Sequence, residues 1–570
     1  RNSKLPSKTS GTSNGRETTE PYTERVDKLA ARPEWGGQME FLMSCIATSV
    51  GLGNVWRFPF TAYENGGGAF LIPYIIVLFL IGKPAYYLEC LLGQFSSRNS
   101  VRVWSLCPAM KGAGYSAILG CGFVLSYYVS IVALCLYYLV MSFQPTLPWG
   151  ICAPEWEDCL PSDPSQPVGP ITENASSSAE LYFVTRQSGT EHELKLIKLT
   201  GAPIWYLTLC LFVSWIIIFV IVSRGVKSSV NVQFIIESTL TGAGDGILYF
   251  LTPQWDKLLE LDVWYAAITQ VFFSLSVATG AIIMFSSYNG FRQNVYRDAM
   301  IVTTLDTFTS LLSGITIFGI LGNLAHELNQ EVNEVVGSGG SSLAFVSYPD
   351  AICKTFLPQL FAVLFFLMMS VLGIGSSVAL LSTINTVFMD AFPKVKTIYM
   401  STVCCIAGFL MGLVYVTPGG QYILELVDHY GGTFLILFGA IMEIITVFWI
   451  YGLERFCVDI EFMLGIKTSV FWRLCWGVVT PGMMLTVFFY ALSGFENVVY
   501  GDYVYPTVAY GESWVRSPPG TYLCVMSIKV CSVSGCNLSI ICMYLQPVKC
   551  ESDSRTEGSG RLCIFLYIFL

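Results

Sequence analysis

Ala47-Thr48-Ser49-Val50-Gly51-Leu52-Gly53-Asn54, followed by Arg57 and Pro59, lies in the middle of an apolar stretch at 38–61. Small and glycine residues at that depth free main-chain carbonyls and amides from the helical ladder. Irregular backbone at mid-bilayer is tolerated only where it is buried in protein or lines a cavity. A second apolar stretch, 263–290, carries a comparable interruption, Phe273-Ser274-Leu275-Ser276-Val277-Ala278-Thr279-Gly280. One small-residue pair alone would read as close helix packing. Two breaks, each with hydroxyl or amide side chains, favour a polar site instead. Paired broken helices five spans apart predict two inverted five-helix repeats with a binding site between them.

The rest of the chain places those breaks in lipid. Of 570 residues, 53% are hydrophobic and 12% charged, half the roughly 25% of a soluble chain; the mean hydropathy is +0.58. That excludes a water-soluble enzyme and a disordered chain. At a net charge of −9 it also excludes a nucleic-acid partner, which needs basic phosphate contacts. Stretches of about 20 apolar residues span a bilayer. They lie at 38–61, 68–93, 115–143, 203–223, 231–252, 263–290, 301–323, 356–390, 397–416, 433–451 and 469–492, here spans one to eleven. A twelfth, at 521–545, is degenerate, weakened by Lys529 and its Ser, Gly and Asn content. The fold class is an all-α polytopic membrane protein of about twelve spans, with spans one and six broken. Residues 1–34 read as a disordered tail and not as a signal peptide, since no apolar stretch follows a short basic start. The membrane domain occupies 35–510, and 511–570 form a divergent C-terminal region.

Lys and Arg gather in the tail (Arg16, Arg25, Lys28, Arg32) and after even-numbered spans, as Arg98, Arg102 and Lys111, or Lys394 and Lys396. The long loop 144–202 is acidic, with Glu155, Glu157, Asp158, Glu173 and Glu180. The positive-inside bias puts the N-terminus in the cytoplasm and that loop outside. Cys152 and Cys159 are spaced for a short-loop disulfide in an oxidising compartment. Asn174-Ala175-Ser176 is an N-glycosylation sequon, which needs the same exposure. A multi-pass plasma-membrane protein is expected.

Ser49–Phe60, followed by Glu64–Phe70 (Glu-Asn-Gly-Gly-Gly-Ala-Phe), resembles the opening of the sodium-coupled neurotransmitter and amino-acid symporters, solute carrier family 6. Within that family it is most similar to the insect-type nutrient amino-acid transporters. The resemblance continues through Gly93-Gln94, Lys111–Tyr115, Tyr127-Tyr128, the sixth span and Asp428–Thr433, and covers about residues 32 to 510. It implies a twelve-helix fold with alternating access to a central site.

By that resemblance, the carbonyls of Ala47, Val50 and Leu372, with Ser376, hold one alkali cation. The Ser49 carbonyl, Asn54, Ser274 and the position of Asp306 hold another. Hard oxygen donors suit Na⁺, whereas three His and scattered Cys offer no transition-metal set. The amides of Leu52 and Gly53, with Tyr128, receive a substrate carboxylate beside Ser49. That carboxylate completes the cation site, so cation and substrate bind better together than apart. Monoamine carriers of the family hold an Asp where this chain has Gly51, so a lone ammonium would lack its partner. Val124, Phe273, Ser276, Ala278, Thr279, Ser376 and Leu380 form a side-chain pocket without an ionised group. The implied substrate is a neutral amino acid.

Three departures matter. Asp306 stands where the family usually has Asn, four residues before Ser310 on the same helix face. Ser310, Tyr74, Gln270 and Ser274 match a chloride site, and an ionised Asp306 puts a charge where the family borrows one from Cl⁻. Weakened chloride dependence and tolerance of K⁺ beside Na⁺ follow as expectations. Gly375 stands where the family offers a Thr or Asp, so one cation site has lost an oxygen. Arg57 with Asp428, and Arg32 with Asp390, match outer and inner gate pairs, with Trp35 and Tyr288 around the inner one. The competing classes are a cation-conducting channel or receptor and a family member that no longer transports. An enzyme has no support, because the His-Glu pairs lack a second His at metalloprotease spacing.

Overall fold

The computed structural model describes residues 34–156, 159–166, 176–188, 202–224, 248–328, 343–355, 357–493 and the strand pairs at 499–500 and 503–504. Backbone contacts divide the chain into Arg1–Ala509 and Tyr510–Leu570, and the described residues all belong to the first. The tail with Arg32, the sequon Asn174, most of span five and the region beyond 510 lie outside them.

Among the described residues almost everything is helix. Span one is two pieces, Gln38–Ser49 and Phe58–Glu64, joined through a π-helical turn at Gly53–Arg57. Span two runs Gly68–Ser96, span three Gly112–Met141 and span four Trp205–Arg224. Span six is Leu261–Leu275 and Ala281–Ser286. Spans seven, eight and nine are Val295–Leu328, Pro358–Ala391 and Thr397–Gly412; span eleven is Val470–Ser493. Span ten corrects the sequence reading. It starts at Gly420, thirteen residues ahead of the expected start at 433, because Asp428–Phe434 forms a π turn inside the helix; it ends at Gly452, whose φ of 107° separates it from the helix Leu453–Leu464. The polar Asp428-His429 and paired Gly431-Gly432 lower the hydropathy there without ending the ladder.

The core is polar in the middle and apolar at the rim. Span three packs on spans eight, four and ten. Leu209, Phe212 and Ile216 of span four, Val403 and Ile406 of span nine, and Val478 and Phe489 of span eleven are exposed. Those side chains suit lipid, while Asn54, Ser274, Asp306 and Ser310 are fully or almost fully buried. Backbone groups freed inside the bilayer find side-chain partners. Pro84 has no N–H to give the Leu80 carbonyl one turn earlier, and Thr480 Oγ1 of span eleven donates to it at 2.8 Å instead. Trp476 Nε1 caps the Pro84 carbonyl at 3.0 Å. In the loop before span four, Cys152 and Cys159 form the expected disulfide, and Cys159–Leu160 pairs in parallel with Ser176–Ser177.

Candidate functional site

The first helix of span one ends at Ser49, and Val50 is extended. The break is closed largely by its own residues. Gly51 N–H donates to Asn54 Oδ1 at 3.0 Å, and Asn54 N–H to the Gly51 carbonyl at 3.2 Å. Leu52 N–H donates to Tyr128 OH at 2.9 Å, so two groups expected around a substrate carboxylate adjoin each other. A Cβ on Gly51 would lie 2.6 Å from Ser376 Oγ and 2.9 Å from Tyr128 OH. No carboxylate side chain fits there without moving both.

The second break is shaped differently. Ser276 and Ala278 adopt left-handed φ angles of 53° and 60°, and Gly280 one of 75°. The Ala278 amide donates to Glu89 Oε1 of span two, a fully buried carboxylate. Thr279 Oγ1 closes back on the Ser276 carbonyl at 2.6 Å, and Ser276 Oγ donates to the Thr48 carbonyl of span one at 3.5 Å.

Two polar clusters flank the first break. On one side Asn54 Nδ2 donates to Asp306 Oδ1 at 2.7 Å, to Ser310 Oγ at 2.9 Å and to Ser274 Oγ at 3.2 Å. Ser274 Oγ donates to the same Asp306 oxygen at 2.8 Å. Asp306 Oδ2 and Gln270 Oε1 are buried there without a hydrogen-bond partner, beside the hydroxyls of Tyr74 and Ser310. Such orphaned atoms are costly unless a ligand meets them, and their chemistry, oxygen acceptors beside hydroxyls, suits small ions. On the other side Ser376 Oγ lies 3.5 Å from both the Ala47 and Leu372 carbonyls.

Between the clusters is a small cavity of about 30 Å³ lined by Thr48, Ser49, Gly51, Gly53, Val124, Tyr128, Phe273, Ser274, Ser276, Thr279, Ser376, Leu380 and Ile436. No lining side chain is ionisable at neutral pH. Leu52 and Ala278, expected at the site, are absent from the lining; their amides are committed to Tyr128 and Glu89. Thr48 and Ile436 escaped sequence reasoning. A single Thr or Ile on an apolar span carries no signal of its own.

Above the cavity the Arg57 guanidinium meets Asp428 at 3.2 Å, with the side chains 19% and 20% exposed. Its Nη2 donates to Thr433 Oγ1 at 3.0 Å, and it stacks 4.2 Å over the Phe273 ring. Tyr127 OH donates to Asp428 as well. At the opposite end Trp35 Nε1 donates to the Phe285 carbonyl at 2.9 Å, and its ring meets Tyr288 edge-on. Asp390 Oδ2 accepts from Asn99 Nδ2 at 2.7 Å; Arg32, its expected partner, lies outside the described residues. Glu443 of span ten is buried with Oε1 unpartnered, another group the sequence did not single out.

The sequence has close relatives among known proteins. The sodium-dependent nutrient amino acid transporter 1 of Drosophila yakuba is 50% identical over 549 residues, covering 89% of this chain and 85% of the relative. Its namesake in Drosophila melanogaster is 51% identical over 534 residues, 86% of this chain and 83% of the relative. The family described as the sodium:neurotransmitter symporter family matches residues 32–533, a range that runs past Tyr510, where the sequence reading ended its resemblance. The chain belongs to the sodium:neurotransmitter symporter family.

Proposed function

We propose that this protein imports neutral L-amino acids across the plasma membrane by alternating access, driven by Na⁺ and tolerating K⁺, with the N-terminus cytoplasmic. The observation that carries the substrate class is the wall of the cavity. It offers hydroxyls and apolar surface but no ionised group for a basic or acidic side chain, and Gly51 leaves no room for the acid an amine substrate needs. A zwitterion supplies its own carboxylate, which meets the Tyr128–Leu52 end of the cavity and a cation at the Asp306 cluster.

Arg57 and Asp428 join spans one and ten and act as the outer gate, since breaking the pair favours one facing state over the other. Asp390 takes the inner role with Arg32. Tyr74, Gln270, Ser274 and Ser310 surround the position where a chloride would sit. The Asp306 carboxylate beside them supplies a negative charge of the protein's own, so chloride dependence is weak.

Uptake by the purified chain in proteoliposomes tests this reading. Leu, Phe, Lys and Glu are compared under Na⁺, K⁺ or choline gradients. Uptake of Leu or Phe with Na⁺, and none with choline, is expected. Preferred uptake of Lys or Glu would overturn the neutral-substrate reading, and steady cation current without substrate would favour a channel.

A further inference from the structure

Two glycines on span eight, two positions apart, have different reasons to be glycine. A Cβ on Gly373 would lie 2.5 Å from Val132 Cγ2 of span three, so helix packing demands its absence. A Cβ on Gly375 would meet only the Ala47 carbonyl oxygen at 3.4 Å and Ala47 Cβ at 3.9 Å, ordinary contact distances. Its φ is not left-handed. Neither space nor backbone requires glycine at 375, and a helix interior disfavours it. What the residue withholds is a side chain directed at the free carbonyl end of span one.

The charge on the two sides of that break is unequal. The cluster of Ala47, Leu372 and Ser376 offers neutral oxygens alone. A cation entering it loses its water against dipoles only, with no opposite charge to offset the desolvation. The other cluster holds Asp306, fully buried and accepting two hydrogen bonds at Oδ1; a cation seated beside it favours its ionised form. Its second oxygen has no partner. One cation, one zwitterionic amino acid and one ionised Asp306 sum to zero charge in the closed cavity. A second cation leaves an uncompensated positive charge in low dielectric.

We infer that this protein moves one alkali cation per amino acid, held at the Asp306 cluster, and that the pocket beside Gly375 no longer retains a cation. The inference rests on the symport reading above and sets its stoichiometry.

The test is the ratio of charge moved to radiolabelled leucine taken up by proteoliposomes (phenylalanine if leucine is not carried), with the Na⁺ dependence of uptake. One charge per substrate and a hyperbolic Na⁺ dependence are expected. Gly375→Thr places a hydroxyl toward the Ala47 carbonyl and should raise the ratio toward two and make the Na⁺ dependence sigmoidal. Gly375→Ala adds bulk without oxygen and should leave both as they are. A ratio of two in the unmodified protein overturns the inference, as does a Gly375→Thr protein that transports with unchanged ratio and Na⁺ dependence. If Gly375→Thr fails to fold, the unmodified ratio decides alone. Absence of any cation-driven uptake overturns the symport reading as well, whereas two-charge uptake overturns only the stoichiometry.

Discussion

The two helix breaks reach the same end by opposite means. The break in span one contains no left-handed residue, and its main hydrogen bonds run between Gly51 and Asn54, three positions apart. The break in span six holds Ser276 and Ala278 in a conformation that costs an L-residue roughly 1–2 kcal/mol. It is held by Glu89, 189 residues away. The first break carries its shape in its own sequence; the second has its shape imposed by a neighbouring span. Strain of the second kind persists only where the surroundings over-determine it, which makes Glu89 a positioning residue for the cavity wall.

The largest expected effect follows from removing that support. Glu89→Ala leaves the Ala278 amide buried without a partner, at about 1–3 kcal/mol, and opens a void beside it. Uptake should fall at least about tenfold, the equivalent of ~1.4 kcal/mol, with a lower melting temperature in detergent. Glu89→Gln keeps an acceptor oxygen and should recover much of both. If Glu89→Ala transports and melts like the parent, the second break is as self-sufficient as the first and the contrast collapses.

Gly51→Ala probes the self-contained break. The added Cβ would press on Ser376 Oγ and Tyr128 OH, hydroxyls that face the cavity and can turn aside, so the crowding falls on substrate binding, where ~1.4 kcal/mol is tenfold. The damage should appear as a KM raised by about tenfold with little change in melting temperature. A fall in stability as large as that of Glu89→Ala would show that the first break also depends on its surroundings.

Asp306→Asn acts where the first break meets spans six and seven. Asn keeps an acceptor for Asn54 and Ser274 but removes the fixed charge. Replacement of chloride by gluconate should then cut uptake by about fivefold, ~1 kcal/mol, against little change in the parent. Equal chloride sensitivity in both would remove Asp306 from the anion balance.

The same asymmetry decides how much was legible in the sequence. Gly51 and Gly53 announce a break because they stand beside Ser49 and Asn54, polar side chains able to meet freed backbone groups, and the Asn54 that closes it is adjacent. Ser276 and Ala278 help announce a break by their small size but not its shape, since neither residue type favours a left-handed φ. Their partner Glu89 is one acid on an apolar span, and nothing in the sequence marks it as the prop of a strained loop. Span ten starts ahead of its apolar run for a related reason: hydropathy registers Asp428 and His429 as an interruption, while the backbone absorbs them in a π turn. The Arg57–Asp428 pair, 371 residues apart, came from resemblance and not from spacing. Ile436 needed the packing of span ten against the cavity before it could be seen.

The smallest effect is expected at the strained residue itself. Ala278→Gly removes the clash of Cβ with the backbone, a gain of roughly 1–2 kcal/mol. Glycine loses more freedom on folding, a cost of roughly 0.5–1 kcal/mol. The two nearly cancel, and a 1 kcal/mol change moves the melting temperature of a 150–250-residue domain by only about 2–4 °C, less in a longer chain. With Glu89 intact, Ala278→Gly should therefore melt within about 2 °C of the parent. In a Glu89→Ala background the same change should recover part of the lost uptake, because a loop without strain needs less support. Equal effects in both backgrounds would mean that Glu89 and the left-handed residues act independently, and that the second break is held by something other than the carboxylate beside it.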